Sequence, residues 1–194
     1  QPDLALEPFH VVYYTLLDKF AHGEIKKMIV QMPPQHGKSE GSSRKLPAFM
    51  LGLNPDTKIC IGSYAATIAR DFNRDVQRII DTPKYREIFP KTFLNGSNVV
   101  TMANTYLRNS DVIEMVGHKG SLRVVGRGGA LTSKTVDVMI MDDVYKDYSE
   151  GNSPIVRNAA WKWYTTVVKK RLHNKSQELI VFTRWHEEDL IGKI

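Results

Sequence analysis

The sequence has one cysteine, Cys60, in 194 residues. No intramolecular disulfide can therefore staple the chain, and a thiol inside the apolar run "KICIGSY" reads as a core residue in a reducing compartment. No stretch approaches the roughly 20 uninterrupted apolar residues of a membrane span. The opening "QPDLALEPF" has neither the charged start nor the apolar run of a signal peptide, so an intracellular chain is expected. Without a secretory leader, the Asn-x-Ser triplets at Asn95 and Asn174 carry no meaning for glycosylation. Internal repeats and low-complexity tracts are also missing, and 42% hydrophobic with 25% charged residues is an ordinary globular balance that excludes disorder.

What is present alternates. Short apolar runs bounded by polar or turn residues occur at "KKMIVQM", "TKICIGSY", "SDVIEMV", "SLRVVGR", "VDVMIMDD" and "QELIVFTRW", and they read as strands. Helical spacing appears between most of them: "FHVVYYTLLDKFAHG" ends at Gly23, a second helix is expected over 38–53 before Asn54-Pro55, and another over 155–173. This is the pattern of an α/β sheet, expected to form one domain over 1–194. A start on Gln1 and an end at "LIGKI" suggest a piece of a longer protein.

The formal charge of +6 and pI near 9.3 suggest attraction to a polyanion such as nucleic acid. Two basic features could carry it. In "YAATIARDFNRDVQRII", Ile68, Phe72, Val76 and Ile79 are expected to face the core, while Arg70, Arg74 and Arg78 form a second stripe. Asp71 and Asp75 are interleaved with those arginines, which favours a salt-bridged solvent face over a DNA-tracking one. The run Lys169-Lys170-Arg171 closes the 155–173 helix; it either complements the helix dipole or contacts phosphates.

One further absence frames the chemistry. "QMPPQHGKSE" ends in Gly37-Lys38-Ser39, the close of a phosphate-binding loop, yet Met32 stands where the loop's first glycine belongs. Phosphoryl oxygens need converging backbone N–H groups at a helix start and a cation. A strand, a turn at 33–36, Gly37 for close approach, Lys38 for the β and γ phosphates and Ser39 for Mg²⁺ supply these in order. Two prolines after Met32 push the entry toward extended backbone, which does the work of the missing glycine. Pro34, Gln35, His36, Gly37, Lys38, Ser39 and Glu40 are the candidate nucleotide contacts. His36 is either a packing residue or a neighbour of the phosphates.

An ATP site also needs a carboxylate at the end of a neighbouring strand for the Mg²⁺ shell and another to orient or deprotonate water. "VDVMIMDDVYKD" offers Asp142 as the metal carboxylate and Asp143 as the catalytic one, at the strand end where open α/β sheets bind ligands. In "ELIVFTRWHEEDL", Thr183 at a strand tip could bond the γ-phosphate or the water, or simply precede a helix cap.

Together, "PPQHGKSE", "SYAATIARDFNRDVQRII", "VVGRGGALTSKTVDVMIMDDVYKD" and "VFTRWHEEDLIGKI" resemble the N-terminal ATPase domain of the large terminase subunit, the motor that packs double-stranded DNA into tailed-phage procapsids. The resemblance implies a P-loop NTPase fold of the ASCE/RecA-like type with a mainly parallel sheet flanked by helices. It implies ATP and Mg²⁺ as ligands, and hydrolysis coupled to DNA translocation in the host cytoplasm. The implied partners are the portal protein, the small terminase subunit and further copies of the chain in a ring, with a monomer in isolation as the alternative. Residues beyond Ile194 would carry a C-terminal nuclease domain of ribonuclease H type.

By the same resemblance Thr183 is the coupling residue, and Gln35 stands where an arginine is common. An arginine supplied to a neighbouring subunit's nucleotide is assigned to Arg127, with Arg184 and Arg123 as competitors. Adenine recognition falls to Phe9, His10 and Tyr13, unless those rings are core residues of their helix. The other readings are a helicase-like DNA translocase, and a nucleotide-regulated DNA-binding or assembly module with little catalysis.

Overall fold

A computed structural model of the chain describes residues 7–100, 105–131 and 135–194. The expected stretch "GGALTSK" thus lies partly outside the described residues. Six strands form one sheet: β1 (Lys27–Val30), β2 (Lys58–Ser63), β3 (Val112–Glu114), β4 (Ser121–Gly126), β5 (Val136–Asp142) and β6 (Leu172–Val181). Their order is β1-β6-β5-β2-β4-β3, parallel throughout except for the antiparallel edge β3. The chain is an α/β protein with a mainly parallel six-stranded sheet flanked by helices.

The central strands are apolar on both faces because both faces are covered. Ile59, Ile61, Val138, Ile140, Leu179 and Val181 pack under α1 (Pro8–Ala21), α2 (Leu46–Leu53) and α3 (Ala66–Ile80). The alternating residues Cys60, Met139, Met141, Ile180 and Phe182 pack with Trp163 and Tyr164 of the opposite layer. Burial pushes the Cys60 thiol up to about 12, which fits an inert core residue. The remaining helices are α4 (Pro83–Ile88), α5 (Tyr148–Asn152), α6 (Pro154–Trp163) and α7 (Leu190–Lys193). None of the described helices is long and apolar enough to cross a membrane.

Two helices differ from the sequence expectation. The segment 38–53 is not one α-helix: Glu40–Lys45 forms a π-helix before α2, and the Leu46 N–H bonds back to Gly41 O. Pro47 is the physical reason, since it has no N–H for the carbonyl four residues back and its ring crowds that carbonyl, so the wider turn relieves both. The segment 155–173 likewise passes from α6 into a π-helix over Tyr164–Val168 and a short 3₁₀ turn over Lys169–Arg171, and β6 already begins at Leu172.

On α3 the buried residues are Ala69, Phe72, Asn73, Val76, Gln77 and Ile80, with Ile68 and Ile79 only partly buried. The stripe is rotated because Asn73 and Gln77 are drawn in by the carbonyls of Asn109 and Ser110. The arginine stripe is salt-bridged as expected: Arg74 pairs with Asp71, Arg78 with Asp75 at 2.8 Å, and Arg70 with Asp111 at 2.7 Å.

Because β1, β6, β5, β2 and β4 run parallel, their C-terminal ends share one edge of the sheet. The loop after Val30, Thr183 beyond β6, Asp142 ending β5 and Arg127 beyond β4 all emerge there.

Candidate nucleotide site

The loop after β1 has an anion-binding shape. Gln35 and Gly37 both take positive φ, 64° and 78°. A glutamine held in the left-handed region is strained, and such strain collects at ligand sites. No hydrogen bond among the described residues takes up the N–H groups of His36, Gly37, Lys38 or Ser39, so these donors remain available at the start of the helical segment.

The loop is held from below. Tyr13 Oη donates to Lys38 O at 2.6 Å and Ser42 Oγ donates to the same carbonyl at 2.8 Å. His10 Nε2 donates to His36 O at 3.1 Å, and its Nδ1 accepts from Glu7 N, which fixes the tautomer. His36 Nδ1 donates back to Pro34 O at 2.8 Å. His10 and Tyr13 are buried, whereas Phe9 is exposed with its ring 6.0 Å from that of His36. Of the three rings expected near the base, two therefore brace the loop and Phe9 alone presents a free face.

Lys38 is only 6% exposed. Its Nζ lies 3.1 Å from Asp143 Oδ2 and 3.2 Å from Thr183 Oγ1. β6 lies between β1 and β5, so Thr183 stands between the lysine's strand and the carboxylate's strand, and its Oγ1 also donates to Met32 O at 3.3 Å. Asp143 takes a positive φ of 45° and its Oδ1 accepts from Thr183 N at 3.4 Å. A strained residue tied to both Lys38 and Thr183 is poised to move when either partner changes.

Asp142 is 1% exposed. Ser39 Oγ, 103 residues away in sequence, donates to its Oδ1 at 3.0 Å, and Ser43 Oγ donates to its Oδ2. Burial pushes the Asp142 carboxyl up to about 6 against the pull of those two serines, and the neighbouring charge of Asp143 adds to the rise. Hard oxygen donors in a dry pocket suit Mg²⁺. Among the described residues no group of three or more His, Cys, Asp or Glu could hold a metal alone. The oxygen donors present, Ser39 Oγ and the Asp142 carboxylate, thus fit a Mg²⁺ ion that would take only part of its ligands from the protein.

Other expected residues sit elsewhere. The Glu40 carboxylate faces Lys45 at 3.6 Å and Arg44 at 3.9 Å on its own helix. Arg127 Nη1 donates to Glu150 Oε2 at 2.8 Å and to Val144 O at 2.7 Å, and Nη2 reaches Glu150 Oε1 at 3.3 Å. That fork-to-carboxylate clamp holds the Glu150 carboxyl below the usual range. Arg184 bonds Asp189 at 2.8 Å, and Arg123 faces Glu114 at 3.7 Å. All three candidate arginines are therefore paired within their own chain. Sequence reading missed Ser43 and Glu150. Ser43 reaches Asp142 through the π-helix over Glu40–Lys45, which α-helical spacing does not reveal.

Residues 29–191 match the family model described as "Terminase large subunit, T4likevirus-type, N-terminal". Among solved structures, the chain is similar to the large terminase of bacteriophage HK97, with a TM-score of 0.57 and 14% identity over 97% of this chain and 35% of that one. It is also similar to the large terminase ATPase domain of Thermus phage P74-26, with a TM-score of 0.58 and 17% identity over 82% of this chain and 60% of that one. At such identities the likeness is one of fold, and the chain spans about a third and three-fifths of the two solved chains. No curated protein matches the sequence.

Proposed function

The chain belongs to the family of T4-like-virus-type terminase large subunits, matching their N-terminal part, and from that premise we propose that it is a Mg²⁺-dependent ATPase whose hydrolysis drives double-stranded DNA into a procapsid. One observation carries the reading. Lys38 and Ser39 of the loop meet Asp143 and Asp142 at 3.1 and 3.0 Å beneath a row of unpaired backbone donors. Membership in this family favours a packaging motor over a helicase-like translocase, and four intact charged and hydroxyl groups favour turnover over a silent assembly module.

In this reading the free N–H groups of 36–39 receive phosphate oxygens, and Lys38 Nζ leaves Asp143 to neutralise the β and γ phosphates. Ser39 and Asp142 would hold Mg²⁺, which when bound would offset the negative charge of the phosphoryl groups. Asp143, released from the lysine, orients the attacking water and accepts its proton. Thr183 bridges Lys38, Asp143 and Met32 O, so its hydrogen bonds register whether the γ-phosphate is present. Phe9 offers a stacking face for the base. Arg127 serves the neighbouring subunit's nucleotide in a ring, after giving up Glu150. The portal protein, the small terminase subunit and duplex DNA are the partners of the assembled motor, working in the host cytoplasm.

Phosphate release from ATP with Mg²⁺ tests this. Wild-type turnover is expected to fall at least about 100-fold in Lys38→Ala, the scale seen when one preorganised transition-state contact is removed. Turnover in Lys38→Ala within a few-fold of wild type would overturn the assignment.

A further inference from the structure

The basic run that closes the 155–173 segment is not used by the nucleotide site, and it lies at the opposite edge of the sheet. Lys26 and Lys27 lead into β1, Lys170 and Arg171 lead into β6, Lys175 follows within β6, and Lys162 stands two turns earlier on α6. The lysines among these six are exposed, and none of the six is within ion-pair distance of a carboxylate among the described residues. The α3 arginines, by contrast, each have an aspartate. Glu178, the nearest acid in register with Lys27, is buried and engaged by Lys169 Nζ at 3.3 Å. The Arg171 Nε is buried with no hydrogen-bond partner among the described residues.

The shape is also specific. Between β5 and β6 the register passes from Val136↔Leu172 to Val138↔Gln177, so β6 advances five residues while β5 advances two. The extra residues bulge outward, pinned by Ser176 Oγ to Val136 O at 2.6 Å and by His173 Nε2 to Asp137 Oδ1 at 2.9 Å. This bulge gives up ladder hydrogen bonds and packs no apolar group; what it does is hold Asn174 and Lys175 out in solvent. A helix dipole accounts for cations at Lys170 and Arg171, but not for Lys26 and Lys27 at the entry to β1 or Lys175 within β6.

We propose that this edge is a track for the phosphodiester backbone of duplex nucleic acid. Unpaired like charges gathered on a rigid edge repel one another unless a polyanion supplies the counter-charge. Among the described residues no exposed Phe, Tyr or Trp stands with them, and the exposed His173 ring is tied to Asp137, so backbone contact to an intact duplex fits better than capture of a single strand. The track lies on the far side of the sheet from the nucleotide loop, so strands β1, β5 and β6 connect the two rigidly. The inference rests on the packaging-motor reading above.

The test is anisotropy of a labelled duplex of about 30 base pairs, titrated with the 194-residue chain across a range of salt. A Lys162→Ala/Lys170→Ala/Lys175→Ala variant is compared with Arg70→Ala/Arg74→Ala/Arg78→Ala, and Lys175→Glu is the single-site check. The track variant is expected to bind at least about 10-fold more weakly at low salt, with a log–log salt slope shallower by about 2 to 3, since each lost phosphate contact removes about 0.9. The α3 variant should keep the wild-type slope. DNA and RNA duplexes of one length should bind alike if backbone charge alone is read. Unchanged binding in the track variant, an equal loss in the α3 variant, or no duplex binding by wild type would each overturn the track. Phosphate release without nucleic acid, measured on the same samples, judges the ATPase reading separately.

Discussion

Asp142 sits where an anion is least favoured, almost wholly buried and beside a second aspartate, and its carboxyl is pushed up to about 6 from 3.8. Between those two pH values the folded protein holds a proton that the unfolded chain has released. Stability from this group therefore rises as pH falls through about 6, and at neutral pH the ionised carboxylate is a net strain on the fold. Asp142→Asn keeps the shape and removes the charge. It is expected to raise the Tm at pH 7.5 by a few degrees in a thermal melt, while Mg²⁺-dependent nucleotide affinity is lost. A Tm that falls would mean that the two serines more than offset the burial of the charge. Mg²⁺-dependent binding in the wild type should also weaken as pH drops below about 6, where a proton competes for the same oxygens.

The elements explain how far the sequence could be read. The strands were legible because residues 59–61, 138–141 and 179–182 are apolar without a break, the mark of strands covered on both faces. Strand ends then gave Asp142 and Thr183, and the glycine–lysine–serine triplet gave the loop. The hidden parts depended on tertiary packing. Nothing local reveals that Glu150 clamps Arg127 across 23 residues, or that Asn73 and Gln77 turn inward to reach carbonyls of another loop. Pro47 was visible in the sequence, yet its consequence is felt at Ser43, which the π-helix brings onto Asp142. Pro47→Ala restores an N–H and allows the helix to close in α register, shifting Ser43 on the helix surface. Its Mg²⁺ dependence of nucleotide binding should weaken in the same direction as that of Ser43→Ala, by about 10-fold, the lower range for losing a group that orients a metal ligand. Wild-type Mg²⁺ dependence in Pro47→Ala, with Ser43→Ala impaired, would show that the wide turn is set by something other than the proline.

On the scale of the whole molecule, the sheet separates two edges: one gathers the loop, both aspartates and Thr183, and the other gathers unpaired lysines. The function proposed above has Arg127 of one copy complete the nucleotide site of a neighbouring copy. Arg127 lies beside the nucleotide edge but is tied to Glu150 of its own chain. Turnover per subunit should therefore be low in dilute solution and climb with concentration or assembly, and Arg127→Ala should abolish the climb. A rate per subunit that is high and flat on dilution would exclude a role in trans.

The measurement that bears most directly on the proposed ATP-hydrolysing centre is a paired one on Asp143→Asn: Mg²⁺–ATP affinity by fluorescent-nucleotide titration, and phosphate release under single-turnover conditions. Nucleotide should bind at least as tightly as in wild type, because Lys38 is freed from its 3.1 Å pairing with Asp143. Phosphate release should fall by about 100-fold or more, since general-base contributions of this kind are worth 10²–10⁴-fold. Wild-type phosphate release from Asp143→Asn would contradict the assignment, and so would loss of nucleotide binding, which would make the aspartate a structural support of the loop.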